Sequence, residues 1–109
     1  MANTFKNKTF NGNSTTANTN MAVYTAPSDT TTVVIGLTLA NTTSSQITAD
    51  IKLAAADTIY LAKDIPIPAG SAFEFFAGNK LIMEAGHAII TQSNTANSLD
   101  TALSIMEIT

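Results

Sequence analysis

His87 is the only histidine of the chain, and a hydrolytic triad would need it as the general base. None of the serines stands in a nucleophile motif such as G-x-S-x-G. His87 instead follows a glycine turn, Ala85-Gly86, and precedes an apolar run. We therefore interpret it as a half-exposed residue at the entry to a strand, not as a base. The serines and acids considered as its partners are Ser71, Ser93, Ser104, Asp64 and Glu84.

The carboxylates are spread singly along the chain, which favours a solvated role for each of them. The alternative is that Glu74 and Glu84 face each other across a hairpin, as the acids of a glycosidase do. No D-x-[DN]-x-[DN]-G run and no glycine-rich phosphate loop is present. The absence of cysteine excludes a disulfide, a thiolate metal site and a thiol nucleophile. We predict a protein that is not an enzyme, with no catalytic residue, cofactor or metal.

Three of the five phenylalanines lie in the short segment from Ser71 to Phe76. Phe73, Phe75 and Phe76 could form a platform for a ligand, or they could pack in the core or in a subunit interface. Packing is the simpler interpretation, and the sequence does not separate core from interface.

The charge pattern argues against two classes of partner. The net charge is −3, there is no arginine, and the five lysines are scattered along the chain, so the phosphates of a nucleic acid would meet no basic cluster. No apolar run approaches the length of a membrane span. The N-terminal residues MANTFKNKTF lack the apolar core of a secretion signal, so export is not expected.

The segment Thr31 to Asn41, TTVVIGLTLAN, predicts the central strand of the fold. Its alternation has period two, and the pattern predicts that Val33, Ile35, Leu37 and Leu39 face the core. Similar short segments follow, separated by turns, and none of them has a helical period. Two prolines, Pro66 and Pro68, predict a crossing between strands or between sheets. We therefore predict an all-β fold, a single antiparallel β-sandwich that is jelly-roll-like.

Residues 1–20 differ in composition from the rest of the chain, since twelve of the twenty are Asn, Thr or Ser. One interpretation is a poorly ordered polar terminus. The other is an extended N-terminal arm that orders on a neighbouring subunit, with Phe5 and Phe10 as anchors and Asn11-Gly12 as a tight turn. We therefore divide the chain into an arm, 1–20, and a sandwich domain, 21–109, and name Phe5, Phe10, Asn11 and Gly12 as candidate partner-binding residues.

From Val23 to Thr109 the chain resembles small virion structural proteins of tailed bacteriophages, especially phages of marine cyanobacteria. The resemblance rests on Ala40-Asn41 after the central strand, on KDIPIPAG from Lys63 to Gly70, on the Leu81 to Gly86 turn, and on Ser104 to Thr109. The family often has an acid where this chain has His87. The resemblance implies a non-enzymatic β-sandwich that is located in the virion and assembled in the cytoplasm of the bacterial host.

Four candidate functions are compatible with these residues and with the resemblance, and we give them in order of preference. The first is a capsid decoration or cement protein that binds the major capsid protein or other virion proteins, most simply as a homo-oligomer. The second is a neck, tail or fibre component, a ring subunit or a receptor-binding tip, in which case the loops Asn41 to Ser45 and Ser93 to Ser98 would matter most. The third is a carbohydrate-binding module, which the lack of tryptophan disfavours. An enzyme comes last.

Overall fold

A computed structural model describes residues 3–12, 15–75 and 80–109, which form nine strands in two antiparallel sheets. The two sheets enclose one apolar core, so the predicted all-β sandwich is confirmed. The strands are β1 (Asn3–Phe10), β2 (Met21–Thr25), β3 (Thr31–Asn41), β4 (Ile47–Ala54), β5 (Thr58–Ile67), β6 (Ala72–Phe75), β7 (Leu81–Met83), β8 (Ala88–Ser93) and β9 (Leu99–Ile108).

The strand order is that of a jelly roll. Sheet A has the order β1-β9-β3-β6, with β7 also paired to β3, and sheet B has the order β2-β8-β4-β5. The pairs are nested: β1 joins β9, β2 joins β8, β3 joins both β6 and β7, and β4 joins β5. Counted together, β6 and β7 act as one broken strand, so the nested pairing gives eight strand positions in two sheets.

The predicted inward face of β3 is wrong in its first half. A register shift between Val34 and Gly36 marks a β-bulge, and the extra residue reverses which side chains point inward. Before the bulge Thr32 and Val34 are buried, and Ile35 is 39% exposed. After the bulge Leu37 and Leu39 are buried, as predicted.

A second bulge turns Tyr24 into the core. The register of β2 on β8 shifts between Ala22 and Tyr24. As a result Val23 and Tyr24, which simple alternation would place on opposite faces, are both buried. The bulge therefore brings a phenol hydroxyl between the two sheets.

The proline-rich segment makes the predicted crossing between sheets, because β5 belongs to sheet B and β6 to sheet A. Pro66 lies on the edge strand β5, opposite Thr48, where a missing N–H is tolerated. The crossing is held by Asn41, which is 3% exposed. Its Nδ2 donates to the carbonyls of Ile67 and Pro68 at 3.0 and 3.2 Å, and also to that of Ser45 at 2.8 Å.

The aromatic segment contributes to the core. Phe73 and Phe75 lie opposite Leu39 and Leu37 in the ladder. Their ring centroids are 6.3 Å apart, and both side chains pack against the buried cluster. Phe76, the third member of the predicted cluster, lies outside the described residues.

Candidate partner-binding surface

β1 lies along β9 of its own chain for its whole length, from the pair Asn3 and Ile108 to the pair Phe10 and Thr101. Seven of its eight residues are exposed. In this structure the polar N-terminal segment therefore contributes the edge strand of sheet A. The division into an arm 1–20 and a sandwich 21–109 stays a prediction about how the segment behaves in an assembly.

The register assigns the side chains of β1 to two faces. Residues opposite the buried positions of β9 point towards sheet B, and the others point outwards from sheet A. The inward residues are Thr4, Lys6, Lys8 and Phe10, and the outward ones are Asn3, Phe5, Asn7 and Thr9. Charged residues that point inward on an edge strand disfavour uncontrolled pairing with other sheets.

A carboxylate between the two sheets joins three strands. Lys6 Nζ lies 2.8 Å from Glu107 Oε1, and the side chain of Glu107 is only 8% exposed. The Tyr24 hydroxyl is 2.6 Å from Glu107 Oε2 and 2.8 Å from Thr32 Oγ1. Because each carboxylate oxygen has a partner, the buried charge is compensated.

The same contacts shift two pKa values in opposite directions. The hydrogen bonds from Lys6 and Tyr24 lower the pKa of Glu107. Burial, reinforced by the hydrogen bond to the Glu107 carboxylate, raises the pKa of Tyr24 to about 12. At neutral pH the arrangement is thus an ionised carboxylate held by an ammonium group and a neutral phenol.

The four predicted partner-binding residues have different environments. Phe5 is 72% exposed, whereas Phe10 is partly buried and packs against the core. Asn11 is exposed. Gly12 is buried, and its N–H donates to Asp100 Oδ1 at 3.1 Å.

Gly12 is needed for a close approach of two backbones. A Cβ at this position would lie 2.0 Å from the carbonyl oxygen of Leu99. Two further backbone bonds, from Asn18 N to Ser93 O at 2.8 Å and from Asn97 N to Thr15 O at 2.9 Å, tie the following residues to the sandwich. Asn11-Gly12 therefore anchors the segment after β1 to β9.

A hollow of about 330 Å³ lies beside this anchor, at one end of sheet A. Phe10, Asn11 and Asp100 are among its lining residues. The remaining lining residues are Thr9, Thr38, Ala40, Thr101 and Ala102.

The side chains considered for catalysis have structural contacts. Nδ1 of His87 accepts the backbone N–H of Glu84 at 3.2 Å, which closes the turn before β8. Ser93 Oγ and Ser98 Oγ are 2.6 Å apart in a buried pair. Glu74 lies opposite Thr38 on β3, and Glu84 follows Met83, which lies opposite Thr32. Thr32 and Thr38 are six residues apart on β3, a distance of about 20 Å along the strand. Glu74 and Glu84 therefore do not form a glycosidase pair.

Within residues 3–12, 15–75 and 80–109, no group of three or more His, Asp or Glu side chains could hold a metal ion. The same part of the chain contains no helix of the length and apolarity that a membrane span requires.

The sequence analysis missed Lys6, Tyr24 and Glu107. A signal for Glu107 exists, since the alternation of Leu99, Leu103 and Ile105 continues inward to position 107. An acid at an inward position needs a partner. The bulge that turns Tyr24 inward has no comparable signal in the sequence.

No protein-family model and no curated protein matches this chain. Two solved structures of a pentameric capsid protein isolated from metagenomic phage sequences are similar to it, each with 17% sequence identity and a TM-score of 0.40. The similarity covers 95% of this chain, and 60% and 59% of those two chains. The chain thus spans about three fifths of the length of the capsid proteins that it matches.

Proposed function

We propose that this protein is a non-enzymatic structural component of a phage virion, and specifically a decoration protein that binds the major capsid shell and self-associates. The observation that carries the proposal is β1, an edge strand whose side chains are nearly all exposed. Among the described residues β1 has β9 as its sole neighbour in the sheet. The resemblance of residues 23–109 to phage virion proteins supports the same function.

The mechanism is the addition of a partner strand to the open edge of β1. Backbone groups at a free sheet edge can pair with an extended segment of another chain, which supplies affinity through main-chain hydrogen bonds. Phe5 is the large apolar side chain that β1 offers to such a partner. The inward Lys6 is held by Glu107 and keeps β1 on its own sandwich while its outer edge binds.

A binding experiment with purified particles that lack the protein tests this function. The particles are incubated with the full chain, and bound copies are counted by quantitative mass spectrometry. Phe5→Ser should reduce binding by about tenfold or more, because a large exposed aromatic anchor is lost. The matched control is Ile59→Ser on β5, which removes a side chain that is 49% exposed on sheet B. Equal binding by the wild type and Phe5→Ser would contradict the role of β1.

Removal of residues 1–20 is a less clean test, because the segment carries contacts of the sandwich. The deletion would remove Lys6 from the buried Glu107 and break the bonds of Gly12 and Asn18 to the body. We expect the truncated chain to be less stable. Loss of binding by the truncated chain would then combine the effect of lower stability with that of the missing binding surface. Phe5→Ser removes one exposed side chain and tests the binding surface alone.

The number of copies in each purified virion distinguishes decoration from the alternatives. A count that is a simple ratio of the major capsid protein would support a decoration protein. A count that matches one ring or a few fibres would move the protein to the neck, tail or fibre. Absence from the particle would contradict both functions.

The hollow beside Phe10 favours a second candidate, a glycan- or receptor-binding role at a fibre. Glycan sites combine an aromatic residue with polar groups, and the residues that line this hollow include Phe10, Asn11 and Asp100. A glycan array with the full chain tests it. Binding that is lost in Phe10→Leu would support this candidate, and an array without binding would contradict it.

A further inference from the structure

An apolar row crosses the outer surface of sheet A. Phe5 on β1 lies opposite Met106 on β9, Met106 lies opposite Val33 on β3, and Val33 lies opposite Ile82 on β7. Phe5 and Ile82, at the two ends, are 72% and 56% exposed. These four residues, here called the apolar row, form one continuous line across four strands, because directly paired residues of antiparallel strands are side-chain neighbours.

The bulge in β3 adds a fifth apolar side chain. Ile35 is 39% exposed and lines a hollow of about 290 Å³ together with Phe5 and Ser104. Of the five large apolar side chains that are exposed in the described part of the chain, Phe5, Ile35 and Ile82 therefore lie on this face. Such a concentration marks an interaction site more often than a chance arrangement.

The rows beside the apolar row are neutral on β1, β9 and β3, and a few charges of both signs lie at its margins. These are Lys80 and Glu84, two residues on either side of Ile82, and Lys6 in the lining of the hollow. On one side the next row of the ladder is Asn3, Ile108 and Thr31, and on the other side it is Asn7, Ser104 and Gly36. Sheet B differs, since Lys52 lies opposite Tyr60 and Asp50 lies opposite Gln92 on its strands. A face with an uncharged centre and only a few charges of mixed sign at its margins has no strong attraction for a nucleic acid or an anionic membrane surface, and it fits another protein face of the same kind.

We propose that two copies of this chain pack face to face through the apolar row. Each copy has a net charge of −3, so two copies repel each other as whole molecules. An uncharged contact surface adds no further repulsion to this. A two-fold contact places the same patch on both partners, and the apolar row with its neutral neighbours meets its own copy without opposing like charges. This contact assigns a surface to the self-association that the proposed function includes, but it requires no capsid.

A contact of ordinary size would cover a modest part of the surface of the chain. A standard interface covers about 800 Å² on each partner, which is about one seventh of the 5740 Å² surface of the chain. The apolar row would form the centre of that area, and the two neutral rows beside it would form the rim.

Sedimentation equilibrium of the purified full chain over a wide concentration range tests the proposal. We expect the wild type to reach twice the monomer mass, and Ile82→Ser to raise the dimer Kd by about tenfold or more. The matched control is Ile59→Ser, whose isoleucine is 49% exposed on β5 of sheet B, and its Kd should be unchanged. A wild type that stays monomeric at millimolar concentration would overturn the proposal, as would equal effects of the two variants.

Cross-linking gives a second readout that does not depend on removing an apolar side chain. The chain has no cysteine, so a single introduced thiol reports one position. Ser104→Cys, on the exposed outer surface of sheet A, should form a covalent dimer under mild oxidation, whereas Ala22→Cys, exposed on β2 of sheet B, should not. Preferential cross-linking of Ala22→Cys would place the contact on the other sheet and refute the apolar row.

Both measurements use the pure chain, so their result is separable from the proposed function. A dimer that fails to bind particles would contradict capsid decoration and leave the apolar row intact. A monomer that binds particles through β1 would contradict the apolar row and the self-association, and it would leave the binding to the capsid intact.

Discussion

Lys6 Nζ and Glu107 Oε1 are 2.8 Å apart, and this ion pair joins the first strand of the sandwich to the last. The other carboxylate oxygen accepts the hydroxyl of Tyr24 on β2, in the opposite sheet. One side chain thus connects β1, β9 and β2. The ion pair adds to the ladder that holds β1, and with it the surface that we propose for partners, against β9.

Replacing Lys6 should destabilise the fold. Lys6→Met keeps an unbranched apolar stem but leaves the nearly buried Glu107 without its cation. We expect the free energy of unfolding in urea to fall by about 1–2 kcal/mol, less than for a fully buried pair because Lys6 itself is 44% exposed. The control is Lys8→Met, two residues away on the same face of β1. An equal loss of unfolding free energy in Lys8→Met would mean that the net charge of the chain, and not the ion pair with Glu107, causes the effect.

Acid should weaken the fold through Glu107. The pKa of Glu107 is lowered in the folded protein by Lys6 and Tyr24, so the folded state holds this proton less tightly than the unfolded chain does. The contribution of ionised Glu107 to the stability of the fold is complete above about pH 4.5, and it is lost as the pH falls through the lowered pKa of Glu107. Thermal unfolding followed across acidic pH should show a smaller dependence in Glu107→Gln than in the wild type. Identical pH profiles would rule out Glu107 as the cause.

Alkali should weaken the fold through Tyr24. Burial raises the pKa of Tyr24 to about 12 from the usual tyrosine value of 10.0. The stabilising contribution is therefore complete below the unfolded value and is lost as the pH rises towards about 12. Because Tyr24 and Tyr60 are the two tyrosines of the chain, Tyr60→Phe leaves Tyr24 as the sole phenol. Its ultraviolet titration should have a midpoint near pH 12, and a midpoint near the unfolded value in the folded protein would contradict the buried hydrogen bonds.

Gly12 should not tolerate a side chain. In Gly12→Ala the added carbon would lie 2.0 Å from a backbone oxygen of Leu99, which cannot move without shifting β9. We expect a loss of about 1–3 kcal/mol in unfolding free energy and faster amide exchange in β1. Gly36→Ala is the matched control, since nothing lies within 4 Å of its added carbon. Normal stability of Gly12→Ala would mean that the segment after β1 is not anchored as described.

The sequence was sufficient for the fold class, because period-two alternation and turn residues recur along the chain. In β4 and β9 the alternation of the sequence also agrees with burial, since Ile47, Ile51, Leu99 and Leu103 are all buried. The proline pair correctly marked the crossing between sheets. These features are local, so a single sequence contains them.

The bulges and the pairing of β1 could not be predicted from local pattern. Ile35 continues a regular alternation in the sequence. Only the ladder to β9 shows that Ile35 is the extra residue of a bulge and points outwards. The segment of β1 is rich in Asn and Thr with few apolar residues, so it predicts no strand by itself. Its structure comes from β9, a partner almost the whole chain away.

The nested pairing also sets the order of events during translation. Asn3 pairs with Ile108, and β9 lies between β1 and β3, so sheet A cannot close until β9 has left the ribosome. Until then the nascent chain carries β1 without its partner and β3 with an open edge, and non-local pairing of this kind is slow. Charges on an unpaired strand disfavour pairing with other chains, and the β1 segment carries two of them, Lys6 and Lys8.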